Sequence, residues 1–267
     1  MKICLIGGAG YIGSCLSLSL SGHGHDVTII DPAEPILFPP EIRHIKNKFD
    51  PQQIDLNKFD CVYHLAAFPS IEGCERLGAK KTFQENVEVT KTIVNALKNY
   101  STKLIFASSS AIYATPSLYS VSKLQSEYLV ANRPNSISLR LGTVYGISPN
   151  MRNGVLVNDM VKQAVDDTRL VIWHPDSIRP YIDIDDCVRY MRLIKTQKFG
   201  ISYANVASQM VEKIAIAGYI SHETLCDVSA VDYSRRFIQW FDMECHIKPF
   251  SPISEGIQKL VRHYVES

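Results

Sequence analysis

The chain has 267 residues, 46% of them hydrophobic and 21% charged, with 28 Lys and Arg against 27 Asp and Glu. That length buries a sizeable core, as one large unit or two intertwined ones. A formal charge of +1 argues against an electrostatic binder of nucleic acid or membrane, and the nearest approaches to a basic run, Lys80-Lys81 and Arg235-Arg236, read as solvated faces.

In chain order, "KICLIG" (2–7) is a short apolar strand leading into a Gly-rich turn, with a helix from about Tyr11 to Ser21. The opening "MKICLIGGAG" carries one Lys and too few apolar residues for a signal peptide, and no apolar span is long enough to cross a bilayer, so a cytoplasmic protein is expected. "DVTIID" (26–31) is the second strand and "CVYHLAA" (61–67) another buried run. Phe83, Val87, Thr90, Ile93, Val94 and Leu97 recur at helical spacing in a helix near 82–99. "KLIFASS" (103–109) and "ISLRLGTVYG" (137–146) are further strands, with a helix near 119–132 between them. Near-continuous apolar strands alternating with amphipathic helices imply an α/β fold built on a parallel sheet covered on both faces.

The last third differs. Pro149, Pro175 and Pro180 break the alternation, and a second, smaller region wrapped around the carboxyl edge of the sheet is the simplest organisation. Seven cysteines occur without a C-x-x-C pair or a His/Cys cluster at metal spacing, which indicates a reduced chain without structural zinc. Cys4 and Cys61 lie in apolar strands, where a thiol behaves as a small hydrophobe.

"GGAGYIG" places Gly7, Gly10 and Gly13 at three-residue spacing between a strand and a helix. Such a turn lets the backbone approach a pyrophosphate and sets the anion on free N–H groups at the helix start. Asp31 ends the next strand, 18 residues after Gly13, where a carboxylate accepts hydrogen bonds from an adenosine ribose and repels a 2′-phosphate, favouring NAD over NADP. The plainer alternative for Asp31 is a turn residue before Pro32.

"ASSSAIYATPSLYSVSK" (107–123) follows the fourth buried run. Tyr119 and Lys123 at i, i+4 share one helix face. A phenol near pKa 10 is a poor base at neutral pH unless a nearby cation favours the phenolate. An ammonium one turn away would do this, and a serine at the strand end would orient a substrate hydroxyl or carbonyl. Tyr-x-x-x-Lys alone is common on ordinary helices; behind a dinucleotide turn it reads as chemistry.

Together these segments resemble the extended short-chain dehydrogenase/reductases, in their NAD-dependent nucleotide-sugar epimerase/dehydratase branch. "GGAGYIG" is similar to the cofactor turn of that family, "HLAA" (64–67) to its fourth-strand motif, and "ENV" (85–87) to its helix Asn site. "SSSAIY" and "YSVSK" resemble its hydroxyl segment and its Tyr-x-x-x-Lys, while "LRLGTVYG" (139–146), "RPYIDIDD" (179–186) and the tail "SPISEGIQKLVRHY" resemble later family segments. The resemblance implies a Rossmann-type doubly wound sheet over 1–146, to which 183–207 returns, with an interleaved substrate-binding region at 147–182 and 208–267. It implies Tyr119 as general acid/base, Lys123 on the nicotinamide ribose, and Ser109 as catalytic hydroxyl with Ser110 as second choice. Gly7, Gly10, Tyr11, Ile12, Gly13, Asp31, Leu65, Ala66, Asn86 and Ser108 would line NAD, Asp50 being a weaker candidate for adenine. Asn86 has an alternative as a helix-interior polar residue bonded to backbone. Thr143, Asn153 and Arg179 are candidates for the sugar or its phosphates, each equally open to a structural role. A homodimer pairing helices 82–99 and 119–132 is implied as well, with Leu124, Tyr128 and Leu129 at the contact or in the core.

The departures from the family pattern select the chemistry. Ser110 and Ala111 stand where dehydratases of this branch carry Asp-Glu, and where decarboxylases and keto-sugar epimerase/reductases carry Glu or Cys at the position of Ala111. Simple hydride transfer at a carbinol remains, and C4-type epimerisation of a nucleotide-activated sugar through a transient ketone is the first reading. A dehydrogenase or ketoreductase on a smaller or non-nucleotide substrate is the alternative. A non-catalytic dinucleotide sensor is disfavoured, because a sensor needs no proton donor. Asp183 replaces the family His in "RPYIDIDD", and "ISHETLCDVSAVDY" (220–233) lacks the Arg-Pro-Gly-Asp grip on the nucleotide. Only nine residues separate Ser109 from Tyr119, far fewer than in the family, so one wall of the site is missing.

Overall fold

The computed structural model describes residues 1–34, 38–97, 101–198, 202–231 and 251–267. Seven strands form one parallel sheet: β1 (Lys2–Ile6), β2 (Asp26–Ile30), β3 (Arg43–Ile45), β4 (Cys61–His64), β5 (Lys103–Ser109), β6 (Ser136–Leu141) and, after an intervening set of elements, β10 (Tyr203–Val206). Their order across the sheet is β10-β6-β5-β4-β1-β2-β3. The chain reverses direction of travel between β1 and β4, and ligands of open α/β sheets sit outside the carboxyl ends of the strands at such a point.

Alternation along β1 shows how the sheet is covered. Ile3 and Leu5 pack with Leu16 and Leu20 of α1 (Tyr11–Gly22) and with Cys187 and Met191 from a later helix. Cys4 and Ile6 face the other way, onto Ile93, Leu97 and Val130. Successive side chains point to opposite faces of a strand, so a run apolar at every position is buried on both. Cys4 and Cys61 are fully buried, and burial pushes both thiols upward, Cys61 to about 12.

The second face is built by α2 (Ile71–Phe83), a π-helical turn (Gln84–Glu88), α3 (Val89–Ala96) and α4 (Leu118–Ala131). The helical run thus begins well before 82: Ser70 caps α2 by accepting from Gly73 N–H at 3.0 Å, and Gly78 (φ +76°) kinks it. Positions 98 and 99 of the expected helix lie outside the described residues. The segment 137–146 is not one strand. Gly142 lies against Ala207 and Pro180, where a Cβ would stand 3.1 Å from both, and the chain breaks there into β6 and β7 (Thr143–Tyr145).

β7 joins β9 (Ile178–Asp183) and β11 (Gln209–Glu212) in a three-stranded sheet, and β8 (Arg169–Trp173) pairs with β12 (Asp227–Val231). With α5 (Leu156–Asp167), α7 (Lys213–Thr224) and α8 (Ile253–Glu266) they enclose a second core that includes Val161, Ile216, Ile220 and Leu260. The boundary expected at 146 would fall just after β7, which pairs outside the large sheet, whereas α6 (Ile184–Ile194) and β10 pack on and in that sheet. Residues 199–201 and 232–250 of the two later segments lie outside the described residues. Among the described residues no helix is long and apolar enough to cross a membrane.

Candidate active site

A cleft of about 980 Å³ opens at the carboxyl ends of β1, β4, β5 and β6 and is lined by both halves of the molecule. Its floor is the glycine turn. Gly7 has φ +88°, and a Cβ there would lie 2.5 Å from the backbone nitrogen of Ala66; at Gly13 it would lie 2.3 Å from the Gly7 carbonyl oxygen. Both positions exclude any larger residue, whereas Gly10 leaves 3.4 Å. No side chain caps the start of α1 at Gly10, so its first-turn N–H groups are left for an anion. Asp31 is buried, its Oδ2 accepting from Ala9 N–H at 3.1 Å and its Oδ1 from Ala33 N–H at 2.9 Å. Each carboxylate oxygen keeps acceptor capacity for a ribose hydroxyl.

Gly7, Gly10, Tyr11, Ile12, Gly13, Asp31, Leu65, Ala66, Ser108, Ser109, Ser110, Tyr119, Lys123, Thr143 and Arg179 all border this cleft. Asn86, Asn153 and Asp50 do not. Asn86 is buried on the π-helical turn; its Oδ1 accepts from Phe68 N–H at 2.7 Å and its amide donates to Phe68 O and to Ser122 Oγ. It therefore holds the 65–70 loop that forms a cleft wall, and reaches the ligand space only through that loop. Asn153 is exposed, between the cleft-lining Arg152 and Gly154. Asp50 accepts from Gln52 N–H and Gln53 Nε2, while its neighbours Asn47, Lys48 and Phe49 line the cleft.

The serine segment and the Tyr/Lys helix meet because β5 ends at Ser109 and α4 starts nine residues on. Ser117 caps α4 in a reciprocal box with Ser120, which fixes the first turn and thereby Tyr119. The Tyr119 phenol is raised by burial, a shift opposed by the nearby Ser109 hydroxyl and by the charge of Arg152. Lys123 is buried; its Nζ donates to Ala107 O at 2.8 Å and lies 4.8 Å from the Phe106 ring centroid and 5.9 Å from that of Tyr119. Burial pulls Lys123 down to about 8, against the raising influence of Cys74 and Glu127. His64 beneath it is held neutral at about 3, by burial and then by the Lys123 charge, and its Nε2 lies 2.9 Å from Thr90 Oγ1.

A strap over 146–154 crosses the cleft. Tyr11 Oη donates to Gly146 O at 2.7 Å, Ser148 Oγ donates to Tyr11 O at 2.7 Å, and Asn150 donates to Ala9 O in the glycine turn. On the far side Arg152 reaches Pro69 O at 3.4 Å. Buried Asn158 secures the near end through Gly146 N–H and O. Asn150 and Arg152 escape a motif-based reading, because nothing in "SPNMRNG" marks them; only the tertiary path of the strap brings them to Ala9 and Tyr119. Arg179, on β9, is half-buried at the cleft and lowered by burial.

With the geometry established, the likeness to known proteins is specific. A model described as the NAD dependent epimerase/dehydratase family matches residues 3–205. UDP-glucose 4-epimerase of Corynebacterium glutamicum is 29% identical over 134 residues, 46% of this chain and 39% of that protein. UDP-N-acetyl-alpha-D-glucosaminuronate decarboxylase of Bacillus cytotoxicus is 34% identical over 137 residues, 42% of this chain and 38% of that protein. The matched stretch thus spans less than half the length of either curated relative. Among solved structures, the NAD-dependent NDP-hexosamine 5,6-dehydratase TunA superposes with a TM-score of 0.87 at 20% identity, covering 100% of this chain and 98% of that one. UDP-glucose 4-epimerase of Thermus thermophilus in complex with NAD superposes with a TM-score of 0.85 at 19% identity, covering 100% of both chains. At these identities the structural likeness is one of fold.

Proposed function

The chain belongs to the NAD dependent epimerase/dehydratase family, and from that premise we propose that it epimerises a nucleotide-activated sugar at a C4-type carbinol. The observation that carries this reading is that Ser109, Tyr119 and Lys123 border one cleft, with Lys123 Nζ 5.9 Å from the Tyr119 ring centroid, and that Ser109 is followed by Ser110 and Ala111 and not by an acid. Elimination and decarboxylation ask for further acid and base groups at those positions; inversion of a carbinol asks for one proton shuttle. The name of the Corynebacterium relative agrees with this, and that of the Bacillus relative is answered by Ala111.

The residues present fit NAD. At Gly10 a Cβ would meet only Gly7 O at 3.4 Å, and the uncapped start of α1 there leaves room and first-turn N–H groups for a pyrophosphate, while Asp31, anchored to the glycine turn, presents a carboxylate to a ribose and disfavours a 2′-phosphate. When bound there, NAD supplies the hydride acceptor and donor for oxidation and re-reduction of the carbinol. Tyr119 takes and returns the proton at the carbinol oxygen, and Ser109 holds that oxygen in line with the phenol. Lys123 and Arg152 are the cations that stabilise the phenolate, and Lys123 would also meet the nicotinamide ribose of NAD bound there. Arg179, Thr143 and Ser110 face the sugar and its phosphates, with Asn153 behind Arg152 on the strap.

NMR of epimer ratios after incubation with UDP-, GDP-, dTDP- and CDP-sugars tests the proposal; growth of a C4 epimer supports it. No turnover of any sugar nucleotide, combined with NAD reduction by another alcohol, would transfer the assignment to a dehydrogenase or ketoreductase. The nine-residue connection between Ser109 and Tyr119 is what favours that second reading, since a cleft short of one wall admits a smaller or differently held substrate. The partner we propose is a second copy of the chain: Leu124 and Tyr128 on α4 are exposed, so they do not belong to the core and are placed to meet a partner helix.

A further inference from the structure

Tyr119, Lys123 and Glu127 follow one another at intervals of four along α4 and so lie on one face. The first two line the cleft, whereas Glu127 is 6% exposed beneath them. Arg140, next to the carboxyl end of β6, meets its carboxylate: Nε lies 3.0 Å from Oε1 and 3.2 Å from Oε2, and a terminal guanidinium nitrogen lies 2.7 Å from Oε2. Ser108 Oγ donates to Oε1 at 2.5 Å. Arg140 also donates to Tyr113 Oη, which donates to Asn205 Oδ1 on β10 at 2.9 Å, and its guanidinium lies 3.5 Å from the Tyr203 ring centroid. One buried ion pair therefore ties the end of β5, the turn after it, β6, β10 and α4 together.

A buried ion pair is weak evidence for stability, since desolvation offsets much of its attraction and a packed apolar pair often serves as well. Two of its effects here have no apolar substitute. An ionised carboxylate can only accept, so the Ser108 O–H donates to it and the hydroxyl oxygen is left able only to accept from whatever fills the cleft. It also sets a negative charge one turn below the Lys123 ammonium. The groups facing that ammonium are Cys74 from α2, His64 from β4, and Tyr119 and Glu127 from α4; Glu127 is the carboxylate among them.

We propose that Glu127 is a positioning residue of the active site: clamped by Arg140, it orients Ser108 as a hydrogen-bond acceptor toward the bound cofactor and holds the ammonium of Lys123 charged. The pair also fixes the strand end against the catalytic helix from below. The proposal rests on the reading of the cleft as an NAD site; a wild-type protein that does not bind NAD would remove that reading first.

NAD binding measured by calorimetry between pH 6.5 and 9.5 tests it in wild type, Ser108→Ala, Glu127→Gln and the double variant. Ser108→Ala is expected to weaken binding roughly tenfold and Glu127→Gln at least as much, with the double variant no weaker than Glu127→Gln alone, because both act through one hydroxyl. Loss of binding at high pH should set in at lower pH in Glu127→Gln than in wild type, and Glu127→Asp should restore part of that shift. A purely structural role moves melting temperature without moving the pH limb. Should Glu127→Gln fail to fold, Ser108→Ala decides, since it leaves the ion pair intact. Unchanged NAD affinity in folded Ser108→Ala, additive losses in the double variant, or an unmoved pH limb in Glu127→Gln would each overturn the proposal.

Discussion

Alanine at Gly13 and alanine at Gly10 separate folding from ligand binding within one turn. At Gly13 the new Cβ would stand 2.3 Å from the Gly7 carbonyl oxygen and 2.9 Å from the backbone of Gly8. Neither neighbour is a side chain that can swing away, so strand and helix must part. Overpacking of this kind costs about 1–3 kcal/mol, and at roughly 2–4 °C per kcal/mol for a chain this long the melting temperature should fall by several degrees. At Gly10 the Cβ meets only the Gly7 oxygen at 3.4 Å, an ordinary contact, so the unliganded protein should melt within about a degree of wild type. NAD then divides the variants again. At one hundred times its Kd, a ligand of the folded state adds about 2.7 kcal/mol, and wild type should show the corresponding rise in melting temperature. Gly10→Ala should lose most of that rise, because its methyl occupies the space a pyrophosphate needs above α1. Scanning fluorimetry with and without NAD reads all of these. A Gly13→Ala protein as stable as wild type would refute the backbone clash, and a Gly10→Ala protein with the full NAD shift would refute the pyrophosphate cradle.

Four further outcomes follow from the site and its surroundings. Tyr119→Phe should retain NAD binding while turnover of the active sugar nucleotide falls by about 10²–10⁴, and a smaller loss would move the proton shuttle elsewhere. Arg152→Gln should shift the alkaline rise of kcat to higher pH, since the guanidinium counters the burial that raises Tyr119; an unmoved profile would remove Arg152 from the reaction. Burial lifts Asp183 to about 6 despite the hydrogen bond from Asp185 N–H, so between about pH 4 and 6 the folded state keeps a proton the unfolded chain has released, and stability falls as pH rises through that window. Asp183→Asn can keep the N-cap of α6 and should gain up to about 3 kcal/mol at pH 7.5 but nothing at pH 4, equal gains at both ruling out charge as the cause. Leu124→Glu on the exposed face of α4 should halve the mass measured by light scattering if two copies pair there, and an unchanged mass would place the contact on another surface.

The parts of the fold legible in the sequence are those whose local signal is strong enough to survive without neighbours. β1, β2, β4 and β5 carry near-continuous apolar runs because both faces are covered, and the Gly-rich turn fits the join of a strand to a helix. What escaped is held by tertiary contacts. β3 is three residues, Arg43–Ile45, with a polar pattern, and is a strand only because β2 offers it an edge. α2 reads poorly as a helix, with Gly73 and Gly78 inside it, and forms by packing Cys74 and Thr82 against the interior behind the Ser70 cap. The break at Gly142 depends on Ala207 and Pro180, which lie far along the chain.

The same division runs through the site. Ser109, Tyr119 and Lys123 can be named from sequence because one strand end and one helix turn carry them within fifteen residues of chain. Their electrostatic state cannot. Helical spacing places Lys123 beside Tyr119, but it does not show that the ammonium also donates to Ala107 O, that Arg152 on the strap lowers the phenol, or that Cys74 and Glu127 raise the ammonium. Glu127 did leave a trace, as a third polar residue at the four-residue interval of Tyr119 and Lys123, and so did Arg140, a lone charge inside the apolar strand "SISLRL". A charge in a largely buried strand requires a partner, and the α4 face that carries Tyr119 and Lys123 is where that partner stands.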